Sequence, residues 1–228
     1  ERCFILGNGP SLKDENLSLL ENETVFIVNR GYFALDFGLD HYNYYVITDR
    51  EVYTENAKEI QSYTKFPRFY TNFFSENKYY LEGPQEDYIP INRFKNKKKN
   101  LGLKRNQFPE KFSDGWGGAR TVVFDAALVA YFMGFKEIYF LGVDLTSAHK
   151  DMDSHFYGID ITKNSKQRKG FSKNTGALKT IIQNFNNFFA SKNITFKNLS
   201  KGYDNRFFME IDTLENICGV NDIEDSLL

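Results

Sequence analysis

A helix that is apolar on nearly every side, followed at once by a strand that is apolar on both faces, belongs in the middle of a layered α/β sheet. This chain carries such a pair. Thr121 to Met133 is apolar nearly all round and stops at Gly134, which suits the left-handed position just past a helix end. Lys136-Glu137-Ile138-Tyr139-Phe140-Leu141-Gly142-Val143-Asp144 then runs almost without polar interruption, as parallel strands covered on both faces do.

The rest of the chain repeats that alternation. Phe4 to Leu6, Thr24 to Val28, Leu39 to Thr48, Arg68 to Asn72 and Ile194 to Phe196 read as strands. Leu17 to Leu20, Tyr32 to Phe37, Glu51 to Tyr63 and Asn174 to Ala190 read as helical. In the last of these Leu178, Ile181, Ile182, Phe185, Phe188 and Phe189 line one face. Strands alternating with helices through short links predict a doubly wound, mainly parallel sheet. We expect one domain over 1–228, with 73–118 and 147–172 as lid or insertion segments. The tail from Tyr203 shows no pattern.

Composition bounds the partners. With 228 residues the chain can bury a sizeable core, and its net charge of −1 argues against a dedicated nucleic-acid binder. Its two cysteines, Cys3 and Cys218, form neither a disulfide framework nor a metal-type spacing, which points to the reducing cytoplasm. No apolar run approaches the roughly 20 residues of a membrane span, and no signal-peptide pattern leads the sequence. A basic run, Arg93, Lys95, Lys97, Lys98, Lys99, Lys104 and Arg105, reads as a solvated loop or as a patch for an anionic acceptor or the inner membrane surface.

The first strand runs into Gly7-Asn8-Gly9-Pro10-Ser11, where a Gly-rich turn meets a helix start. The amides of such a start favour a phosphate or carboxylate. Leu12 stands where the dinucleotide fingerprint needs its third glycine, and no P-loop pattern occurs. Three more strands end in residues a core would not choose: Asn29-Arg30, Thr48-Asp49-Arg50 and Val143-Asp144. In a parallel sheet these ends share one rim, where open α/β folds bind ligands. A nucleotide would place its phosphate near Gly9 and Ser11, and Asn29, Asp49 or Asp144 could meet ribose hydroxyls, a base edge or a metal. Of three histidines, His41 reads as structural and His149 as solvated. His155, in Asp153-Ser154-His155-Phe156-Tyr157-Gly158, can fold back over the rim, with a chemistry suited to proton transfer.

Phe4-Ile5-Leu6-Gly7-Asn8-Gly9-Pro10-Ser11-Leu12-Lys13, the block Gly134 to Asp144, and Ser172-Lys173-Asn174-Thr175 together resemble the bacterial sialyltransferases of glycosyltransferase family 42. The first two blocks, with Asp49 and Ser154-His155-Phe156-Tyr157-Gly158, also resemble the wider 6-hydroxymethylpterin diphosphokinase-like family. The likeness covers roughly Phe4 to Phe189. It implies a Rossmann-like domain, a GT-A-like variant with a lid, that transfers a sugar from a CMP-linked donor with inversion and without a metal or other cofactor. By position, Asn8, Gly9 and Ser11 would hold phosphate and ribose, Asn29 the sugar or cytidine end, and Thr121 would sit near the donor carboxylate. Arg120 lies one place off the expected arginine. The histidine that serves that family as general base is replaced by Phe171, and its asparagine at the third strand end by Asp49.

The resemblance implies a cytoplasmic glycosyltransferase acting on a glycan or lipid-linked acceptor. His155 or the rim carboxylate Asp144 would take the acceptor proton, and Tyr157 would meet the leaving phosphate. Two alternatives stay open: a diphosphokinase with Mg²⁺ held by Asp49 and Asp144, and a non-catalytic nucleotide-binding domain of a glycan-assembly protein. The donor sugar, the acceptor and assembly as a homo-oligomer are open as well.

Overall fold

The structure, a computed structural model, describes residues 1–64, 67–71, 88–91, 108–116, 121–144, 155–158, 175–201 and 209–220. Its strands are β1 (Arg2–Leu6), β2 (Val25–Val28), β3 (Tyr44–Ile47), β4 (Arg68–Thr71), β5 (Tyr88–Ile91), β6 (Glu137–Leu141), β7 (Thr195–Asn198) and β8 (Glu210–Ile211). They form one parallel sheet in the order β5-β4-β3-β2-β1-β6-β7-β8. The chain builds outward from β1 to β5, then returns to the other side of β1 as β6. The topological switch point therefore lies between β1 and β6.

Among the described residues, four helices accompany the sheet: α1 (Arg50–Tyr63), α2 (Val122–Met133), α3 (Thr175–Ser191) and α4 (Leu214–Cys218). One face carries α2 and α3 over Cys3, Ile5, Phe26, Val28, Val46, Phe140 and Phe196. Ala126, Ala127 and Ala130 keep α2 slim where it lies on the central strands, and Phe124 meets Phe185 of α3 at 4.8 Å between ring centroids. Each fully buried Phe or Leu on these faces contributes about 1.5–3 kcal/mol of burial. The other face is covered by α1, α4 and the connections after β1 and β2. The fold is thus the doubly wound α/β arrangement that the apolar helix–strand pair implies.

Several elements differ from the sequence reading. The connections Pro10–Asp14, Leu17–Leu20 and Gly31–Phe37 are 3-10 turns, closed by short-range bonds such as Glu15 N–H to Leu12 O. Inside the 73–118 segment, Tyr88–Ile91 pairs with β4, and Trp116 is buried against α2, its indole N–H donating to Asp125 Oδ1 at 2.8 Å. Those parts belong to the body of the domain. Pro90 masks β5 from sequence reading, yet a sheet edge tolerates it. The tail likewise supplies β8 and α4, which are too short to show a period. Among the described residues, no helix is long and apolar enough to cross a membrane.

Candidate functional site

The carboxyl ends of β1 and β6 are locked together by glycine. Gly7 N–H donates to Leu141 O and Gly9 N–H to Gly142 O, both at 2.7 Å. A Cβ on Gly7 would sit 2.4 Å from Gly142 O, so no side chain fits this crossing. The chain then presents Ser11 directly to Asp144. Ser11 N–H donates to Asp144 Oδ2 at 2.8 Å, and the Ser11 hydroxyl donates to Oδ1. Burial holds the Asp144 carboxyl above the ordinary carboxylate range, and the two bonds from Ser11 oppose that shift.

In the described structure the expected anion cradle is occupied from within the chain. The Gly7, Gly9 and Ser11 amides are engaged within the chain, and the carboxylate at the turn is the protein's own. β6 is the immediate neighbour of β1, which brings its terminal Asp144 to Ser11. The space is also closed at Gly9, where a Cβ would lie 2.4 Å from Asp144 Oδ2.

Asn8 projects beside this lock. Its Nδ2 donates to Val28 O at 3.2 Å, tying β1 to the end of β2, while its side-chain oxygen is buried with no hydrogen-bond partner. Asn29, at the end of β2, has a left-handed backbone with φ 49, a conformation asparagine tolerates better than most residues. Its side-chain oxygen is also buried and unpartnered. Two neighbouring strand ends therefore each hold an acceptor that lacks a donor, and such groups are costly to leave unmet.

The turn His155–Gly158 lies over Asn8. Phe156 N–H donates to Asn8 O at 3.0 Å, and His155 Nδ1 lies 3.3 Å from the same oxygen. A carbonyl can only accept, so Nδ1 donates in this contact. Tyr157 stacks on His155 with centroids 5.1 Å apart and on Phe33 at 5.3 Å. Asn8, Ser11, Asp144, His155 and Tyr157 thus meet at the switch point, with Asn29 one strand away.

The remaining candidates lie farther out. Asp49 is an exposed helix cap: its Oδ1 accepts from the Glu51 and Val52 amides at 2.9 and 3.2 Å. Thr121 precedes the first residue of α2, and its hydroxyl makes no capping bond. Arg120, His149, Phe171 and the basic run from Arg93 to Arg105 fall outside the described residues. His41 is structural, as expected, with Nε2 3.1 Å from Glu23 O. The residues offered for Mg²⁺ fit poorly, because Asp144 is bound by Ser11 and Asp49 by its own helix. Among the described residues, no three His, Cys, Asp or Glu side chains gather as metal ligands.

No family model matches this chain, and no curated protein matches it. Among solved structures it is similar to the sialyltransferase CstII from Campylobacter jejuni, determined in complex with a substrate analogue, cytidine-5'-monophosphate. The match has a TM-score of 0.57 at 17% identity and covers 98% of this chain and 87% of that one. The likeness is one of fold.

Sequence reading left Arg30, Phe33 and Glu59 out of the site. Arg30 Nη2 pairs with Glu59 Oε1 at 3.2 Å, and its guanidinium lies over the rings of Phe33 and Tyr157 at 4.8 and 5.1 Å. Only the position of Arg30, beside Asn29 at a strand end, hinted at this. A cleft of about 690 Å³ between α3 and β7, lined by Tyr139, Asn193, Lys197 and Glu210, is separate from these residues. Its cation, Lys197, is already paired with Glu210 and Asp212.

Proposed function

We propose that this chain is an inverting glycosyltransferase that moves a sugar from a nucleotide-activated, CMP-linked donor to a surface-glycan or lipid-linked acceptor. The observation that carries this reading is the placement of His155 over Asn8 at the β1/β6 switch point, with Nδ1 on the Asn8 carbonyl. The full-length fold likeness to a sialyltransferase supports it.

In this mechanism Asn8 lies at the phosphate and ribose of the donor and Asn29 at its sugar or cytidine end, as the resemblance implies. The acceptor oxygen attacks the anomeric carbon as the bond from that carbon to the phosphate oxygen breaks. His155 Nε2 takes the acceptor proton. The Tyr157 hydroxyl donates to the departing phosphate, and the bonding electrons leave with CMP. Asp144 holds the turn for Ser11. The setting is the cytoplasm, and the composition of the basic run from Arg93 to Arg105 suits an anionic acceptor or an anionic membrane surface.

Calorimetry with CMP, CDP, UMP, UDP, GDP and ATP, each with and without Mg²⁺, tests the reading. Metal-independent preference for CMP, followed by transfer from a CMP-sugar, supports it. At a hundredfold excess over its dissociation constant a native-state ligand adds about 2.7 kcal/mol, which a thermal shift resolves. ATP binding that requires Mg²⁺ would indicate a diphosphokinase. Nucleotide binding with no turnover of any donor would indicate a binding domain.

A further inference from the structure

The turn that carries His155 and Tyr157 is held from the side by a chain of contacts that leads into α1. Glu59 of α1 accepts from Tyr32 OH at 2.5 Å and pairs with Arg30 at 3.2 Å. Arg30 lies over Phe33 and Tyr157, whose rings are themselves in contact, so the guanidinium spans both faces. Tyr157 stacks on His155, and Phe156 donates its N–H to Asn8 O. Phe37 packs edge-on against Phe156 at 5.4 Å. A planar guanidinium fixed by a carboxylate presents a flat cationic surface to an aromatic ring, which an ammonium cannot reproduce.

We propose that Arg30, fixed by Glu59, is a positioning residue that docks Tyr157 and thereby holds His155 over the end of β1. Arg30 sits at the end of β2 and Glu59 on α1, so the base is set by elements other than the one that bears it. The catalytic consequence rests on the transferase reading. The docking itself does not.

Hydrogen exchange read over residues 155–158 tests the docking, with Arg30→Met, Arg30→Lys and Glu59→Gln compared to the parent. In Arg30→Met the Phe156 amide should exchange faster by on the order of tenfold, while amides of β1 and β6 keep their protection. Arg30→Lys should lie between that variant and the parent. In a transfer assay kcat should fall by about tenfold with KM for the donor held within about threefold, and Arg30→Lys should restore part of the rate. Unchanged Phe156 exchange in both Arg30→Met and Glu59→Gln overturns the proposal. If Arg30→Met unfolds the whole domain, Arg30→Lys decides, because it keeps the charge and removes the planar stack, and unchanged Phe156 exchange in it then overturns the proposal. If the parent transfers no sugar from any donor, the transferase reading fails alone, and the exchange result still decides the role of Arg30.

Discussion

Ser11 and Asp144, separated by 133 positions in the chain, close the end of β1 onto the end of β6 through two hydrogen bonds to one buried carboxylate. One comes from the Ser11 amide and one from its hydroxyl. This latch stands at the point where the strand order reverses, beside the two asparagines whose oxygens await donors.

Ser11→Ala removes the hydroxyl and leaves Asp144 Oδ1 short of a donor in a buried place. The expected loss is about 1–3 kcal/mol, read as a lowered urea midpoint with an unchanged slope. A midpoint equal to the parent's would show that the latch adds nothing to stability.

Asp144 should also leave a signature in pH. Burial raises its native carboxyl above the unfolded value, so the native state is favoured while the group is protonated. That contribution is complete below about pH 3.9, the ordinary aspartate value, and is lost as pH rises through the raised native value. Asp144→Asn does not titrate. Its stability relative to the parent should therefore climb from about pH 4 upward and level off once the parent carboxyl is ionised. Urea denaturation at several pH values between about 4 and 7 reads this, and a difference that stays flat would rule out a raised carboxyl.

At Gly9 the constraint is steric. An added Cβ would approach Asp144 Oδ2 to 2.4 Å and Gly142 O to 2.7 Å, and the second of these is backbone. Gly9→Ala should cost about 1–3 kcal/mol and weaken nucleotide binding as the turn shifts. Calorimetric titration of a folded Gly9→Ala variant with CMP checks the second effect, and parent-like affinity would separate the latch from the ligand site.

His155 bears the chemical prediction. His155→Ala should lower turnover by about 10²-fold or more while CMP affinity stays near the parent's, since Nε2 is assigned to the acceptor and not to the nucleotide. Turnover unaffected by the substitution would remove His155 from the mechanism.

The apolar helix at Thr121 to Met133, the strand that follows, and the polar endings of β1, β2, β3 and β6 were legible because they are local. Residues a few places apart fix an element's type and the face it buries. That was enough to imply a doubly wound sheet with a polar carboxyl rim. The tertiary structure alone decided which strands became neighbours, through packing across intervals that no local period records. By seating β6 against β1 it gave the Ser11 amide to the Asp144 carboxylate and the Gly7 and Gly9 amides to the carbonyls of Leu141 and Gly142. It also enlisted Arg30 and Glu59 beneath Tyr157. The edge strands β5 and β8 escaped the sequence for the same reason. Their pairing comes from an already formed neighbour, and four residues around a proline, or two residues alone, carry no pattern of their own.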